Sequence, residues 1–119
     1  MDVATSAAQT AAWLRDRDAR RRASAAARAD RLHSELPSVV EELKGRFGCT
    51  RVLLFGSLAM GNVHEASDVD LWVEGFEPAR HFEAMAAASA RLGVQVDLVR
   101  AEDAPVSLRQ RVAAEGVPQ

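Results

Sequence analysis

The sequence predicts an α/β (α+β) fold: a small mixed β-sheet of three to four strands with helices packed on one face, preceded by a long N-terminal helix. Short apolar, partly β-branched runs at residues 51–55, 69–73 and 94–99 read as strands bounded by turn residues. Stretches with helical periodicity flank and separate them, and glycine or proline stands at most of the joints. At 119 residues the chain is one domain, large enough to bury well over half of its unfolded surface.

From Met1 to about Glu35 the chain is rich in alanine and arginine and holds no glycine or proline. Strong helix formers occupy most positions, so a long helix is expected. Ala25, Ala29, Leu32 and Leu36 recur at helical spacing, and Val39 or Val40, Leu43 and Phe47 carry the stripe on. This face should lie against the sheet. Pro37 is expected to break or kink the helix, because it lacks an N–H and its ring clashes with the preceding turn. Residues 1–36 therefore read as a helical extension and 37–119 as the main domain, one globular unit overall.

The first half of that helix carries only Trp13 and Leu14 as large apolar residues. Trp13 either offers a partner a docking point or covers the chain's own core. Asp16 and Asp18 interleave the arginines at 15, 17 and 20–22, the pattern of a solvated face rather than a nucleic-acid patch.

Residues 51–55 end at Gly56 and Ser57. Gly56 can take backbone angles closed to other residues, and Ser57 can open a helical turn whose free N–H groups face an anion. In the next run, Asp68 and Asp70 share one strand face, opposite Val69, Leu71 and Val73. Two carboxylates about 4 Å apart repel by roughly 1 kcal/mol in water and about 4 kcal/mol in a partly buried site. A shared proton relieves that, as in carboxylate dyads; so does a divalent cation. Hard oxygen ligands with room for water and phosphate suit Mg²⁺. Phosphate on one side and metal on the other imply a nucleoside triphosphate between them.

Gly56 and Ser57, ten intervening residues, then Asp68, Val69 and Asp70 resemble the signature of nucleotidyltransferases with a DNA polymerase β-like core, and in size their minimal branch. The resemblance implies a third carboxylate on a later strand. Asp97 supplies one, on the face opposite Val96 and Leu98. The resemblance further implies two Mg²⁺ ions held by Asp68, Asp70 and Asp97, ATP as donor, and Gly56 with Ser57 holding the outgoing pyrophosphate. The expected activity is transfer of AMP to an acceptor hydroxyl. Minimal members are often paired with a small helical HEPN protein as the antitoxin of a toxin–antitoxin system, which makes such a partner, or a second copy of the chain, the expected way of closing the cleft. An antitoxin acting by contact alone and an adenylyltransferase of aminoglycoside-like small molecules are the alternatives. Met60 departs from the pattern: many relatives carry a basic residue there.

The loop over 61–67 should arch above the phosphates, with His64 and Glu65 near the entrance as solvated residues. Pro78 is suited to a helix start, and Phe82, Met85, Ser89 and Leu92 mark one stripe of a helix ending at Gly93. His81 belongs to its surface or boundary. This strand–helix–strand unit returns the Asp97 strand to the same sheet. A last helix over 106–115 has Leu108 and Val112 on one side and Gly116 as terminator.

Composition narrows the setting. With Lys+Arg 15 against Asp+Glu 17, no global field draws the chain to nucleic acid or membrane. No run of eighteen apolar residues and no secretory signal pattern occurs, and Cys49 is the single cysteine. A reducing, cytoplasmic setting is the expectation, with Cys49 as small apolar filling.

Overall fold

The computed structural model describes residues 3–61 and 68–119, with side chains from residue 6 onward. Its first element, α1, spans Val3–Gly45. At about 1.5 Å per residue it accounts for nearly the whole long dimension of the molecule, whose extents are 67 × 29 × 20 Å. The stripe expected along its second half is buried: Leu32, Leu36, Val39 and Leu43 are each 1% exposed. The first half stands clear of the core, and Trp13, at 56% exposed, carries the Arg17 guanidinium 5.2 Å from its ring centre. Of the two readings of Trp13, covering the chain's own core is therefore not what the structure has.

The helix continues through Pro37, contrary to the break expected there. A proline inside a helix costs about 3 kcal/mol, while burying a leucine or valine side chain contributes about 1.5–3 kcal/mol. The core residues on both sides of Pro37 outweigh the local penalty. Pro37 itself faces solvent, so its ring crowds no packed neighbour.

Strand β1, Arg51–Phe55, begins where the sequence places it and passes into the short helix α2, Gly56–Met60. Strand β2, Val69–Glu74, follows, then a 3₁₀ turn at Pro78–Arg80 and helix α3, His81–Leu92. Strand β3, Val96–Arg100, leads through a second 3₁₀ turn into α4, Val106–Glu115, and the two-residue strand β4, Val117–Pro118. The sheet order is β3-β2-β1-β4, with β2 and β3 parallel and the other pairs antiparallel. The loop expected over 62–67, with His64 and Glu65, lies outside the described residues.

Alternation along the strands divides the core. Val52, Leu54, Val69, Leu71, Val73, Val96 and Leu98 join the layer under α1 and α3. Leu53, Phe55 and Trp72 face the other way and are covered by Ala104, Leu108 and Val112. Helix α4 thus adds a second, smaller layer opposite the main one.

The buried stripe of α3 is Ala84, Ala88 and Leu92, and Phe82, expected on it, stands 81% exposed. The reason is the free edge of β3. Ser89 Oγ accepts a hydrogen bond from the Val96 N–H at 3.0 Å, and His81 Nε2 donates to the Leu98 carbonyl at 2.7 Å. Satisfying these edge groups rotates the helix and leaves alanines against the core. Among the described residues no helix is long and apolar enough to cross a membrane.

Because Pro37 is exposed in a continuous helix, Pro37→Ala should restore a hydrogen bond and stabilise the fold by about 2 kcal/mol after allowing for the freer unfolded chain. Urea denaturation checks this; an unchanged or lower midpoint would show that the proline is accommodated without penalty.

Candidate active site

The parallel register of β2 and β3 sets Asp70 opposite Asp97. Both are half-buried, and both point to the face that also carries Trp72 and Val99, away from the main core. Asp68, exposed and just ahead of β2, lies close enough for its charge to act on Asp70. The hydrophobic residues between them fix this arrangement: Val69, Leu71 and Val96 are 0% exposed, so a one-residue slip would bury the carboxylates and expose the core.

Gly56 completes the site from β1. Phe55 pairs with Asp70 across the antiparallel ladder, and the chain then turns at Gly56 with φ +74°. A Cβ built there would lie 2.3 Å from Asp70 Oδ2. Only a glycine lets the backbone lie this close to the carboxylate while holding a left-handed angle. Ser57, half-buried, stands in the first turn of α2, which closes at Gly61 in the left-handed conformation. Gly56 and Ser57 are thereby brought beside the acidic cluster.

The electrostatics follow from this crowding. Burial pushes the Asp70 carboxyl above the ordinary value of 3.8, the Asp97 and Asp68 charges push it further, and the Arg111 charge opposes them. Cys49, by contrast, is buried in the main core, and desolvation raises its thiol to about 11. It is an inert filler, as expected.

Among the described residues no three acidic, histidine or cysteine side chains converge as a ready-made metal cage. Mg²⁺ needs none, since it is usually bound through one or two carboxylates and completes its shell with water and phosphate. The facing pair Asp70 and Asp97, flanked by Asp68, is an all-oxygen donor set in which like charges already strain against one another. The residues present fit a divalent cation.

Arg111, on α4, was missed by sequence reasoning; its charge acts on Asp70. Nothing in its local pattern marks it; it is brought in because α4 folds back over the face that bears the carboxylates.

Two changes test this geometry. Asp70 has a raised folded-state pKa, so between that value and 3.8 the native state holds more protons than the unfolded chain. Its contribution to stability therefore falls as pH rises through that window, and the deficit persists at neutral pH. Asp70→Asn should melt higher than the parent at pH 7 in chelator, with the gain shrinking as pH falls towards 3.8; equal melting at pH 7 would contradict it. Gly56→Ala should destabilise by about 1–2 kcal/mol from the left-handed angle alone and displace the Asp70 side chain, read as loss of divalent-cation binding in a folded protein; retained cation binding would contradict it.

Comparison with known proteins agrees with this architecture. The family described as polymerase beta, nucleotidyltransferase matches residues 38–118. A minimal nucleotidyltransferase structure is 34% identical, with a TM-score of 0.67, over 76% of this chain and 95% of its own. The structure of a toxin–antitoxin with AMP-PNP is 24% identical, with a TM-score of 0.61, over 71% of this chain and 69% of its own. A structure of the tri-AMPylated Shewanella oneidensis HEPN toxin in complex with MNT antitoxin is 21% identical, with a TM-score of 0.60, over 73% of this chain and 70% of its own. A search of curated proteins finds no match. With most of its length matched and its strands, turn and acidic residues in the order described above, the chain belongs to the polymerase β-like nucleotidyltransferase family.

Proposed function

We propose that this nucleotidyltransferase transfers AMP from ATP, with Mg²⁺, to a hydroxyl on a helical HEPN-type partner protein, and so acts as the antitoxin of a toxin–antitoxin pair. The observation that carries the chemistry is the Asp70–Asp97 juxtaposition across β2 and β3, with the Gly56 backbone against Asp70. The partner is taken from the similar toxin–antitoxin structures, one of which holds an AMPylated HEPN toxin with its MNT antitoxin.

In this reading Asp70 and Asp97, with Asp68 beside them, would hold magnesium, which when bound would neutralise charge on the phosphates and lower the pKa of the attacking hydroxyl. Ser57 and the backbone at Gly56 orient the β- and γ-phosphates. A carboxylate oxygen of Asp97 takes the proton from the acceptor hydroxyl as its oxygen bonds to the α-phosphorus. The bond from that phosphorus to the bridging oxygen breaks, and pyrophosphate leaves on the side of Gly56 and Ser57. Strands β2 and β3 keep Asp70 and Asp97 in place throughout, so little of the reaction barrier is spent on rearranging the site.

Among the described residues α4 covers this sheet face only in part, and a helical partner would supply a further wall. In this proposal residues 37–119 form the transferase domain and residues 1–36 the helical extension.

The test is incubation of the purified chain with α-phosphate-labelled ATP, Mg²⁺ and a HEPN-type partner. Label should appear on the partner and fall by at least about 100-fold in Asp68→Asn or Asp97→Asn. Neutralisation of the partner without label would instead support inhibition by contact, and label only on an aminoglycoside would support a small-molecule acceptor. Either result would overturn the proposal.

A further inference from the structure

The donor site described so far has a charge problem. A triphosphate brought beside Asp68, Asp70 and Asp97 adds negative charge to negative charge, and helix α2, which borders its binding turn, carries no basic residue: it reads Gly56, Ser57, Leu58, Ala59 and an exposed Met60. The other basic side chains on this face are held elsewhere. Arg51 pairs with Glu74 at the far end of β1, and Arg109 donates to the Ala101 and Ala104 carbonyls.

Arg111 is differently placed. Helix α4 starts beyond the far end of β3 and ends at β4, where Val117 lies opposite Leu54, next to the Phe55 that pairs with Asp70. Its last turns therefore arrive at the carboxylate end of the sheet. Two features pin them there. Val112, 2% exposed, packs into the layer of Leu53, Phe55 and Trp72, and Gly116 turns so tightly that a Cβ on it would lie 2.5 Å from the Val112 carbonyl oxygen. Arg111 flanks this anchored stripe. Helix α4 also packs beside α2, so Arg111 and the Gly56–Ser57 turn lie at the same end of the sheet.

The guanidinium is also available. Its recorded ion pair is with Glu115, one helical turn on at 3.3 Å, with side chains 58% and 40% exposed. An exposed pair at this spacing is weak, so it yields readily to a stronger acceptor. Phosphate oxygens are such an acceptor, because the planar guanidinium meets them with two parallel donors.

We propose that Arg111 binds the terminal phosphates of the donor nucleotide, closing from α4 the side of the cleft that α2 leaves without positive charge. This rests on the nucleotidyl-transfer reading and adds to it the residue that selects a triphosphate over a monophosphate.

The test is calorimetric titration of the full chain with a non-hydrolysable ATP analogue and Mg²⁺, alongside AMP measured by competition. Arg111→Gln should weaken binding of the triphosphate analogue by about 10- to 100-fold and leave AMP within about threefold, with Arg111→Lys recovering much of the loss. Thermal melting confirms that each variant is folded, which the exposure of Arg111 favours. Unchanged triphosphate binding, or equal weakening of triphosphate and AMP, would overturn the proposal while leaving nucleotidyl transfer intact. A parent chain that binds neither nucleotide with Mg²⁺ would overturn the transfer reading, and this assignment with it.

Discussion

The enforced closeness of Asp70 and Asp97 is the constraint on which the rest of the molecule depends. Two carboxylates side by side repel by roughly 1–4 kcal/mol depending on how much water screens them, and the strands would relieve that by sliding. They do not slide because the opposite faces of the same strands are fully buried. Val69, Leu71 and Val96 lie beneath α1 and α3, and moving the register would exchange a core for a charged pair. The apolar layer thus stores, at one end of the sheet, an electrostatic tension that a divalent cation can relieve.

The remaining elements maintain that arrangement. Helix α3 makes the crossover that returns β3 parallel to β2, and it also caps the free edge of β3 through Ser89 and His81. Gly56 lets the end of β1 lie against Asp70 with no side chain between. Helix α4 and β4 seal the second face over Trp72. The long N-terminal helix contributes its second half to the core and extends its first half into solvent, beyond the residues matched by the family.

Much of this was legible in the sequence, because the strongest signals are those that burial enforces. A short apolar run ending at a glycine marked β1 at 51–55, alternation set Asp97 opposite Val96 and Leu98, and the last helix runs over 106–115 as its pattern reads. What escaped depends on partners distant in sequence. Pro37 signals a break, but the core residues on either side of it outweigh the local cost. Phe82 fits an apolar stripe, but the hydrogen-bonding needs of an edge strand turn that helix. Strand β4, two residues with a proline, has no periodicity to read. Arg111 carries no local mark either, since the influence of its charge on Asp70 arises only when α4 folds back across the sheet.

The most direct measurement of the central claim is the titration of the Asp70 side-chain carboxyl by carbon-detected NMR in the metal-free protein, repeated in Asp97→Asn. The account predicts that Asp70 titrates above 3.8 in the parent and moves back towards it when Asp97 loses its charge. An Asp70 that titrates at the ordinary value, or that ignores the change at Asp97, would mean the two side chains are not held together, and the site as described would not exist.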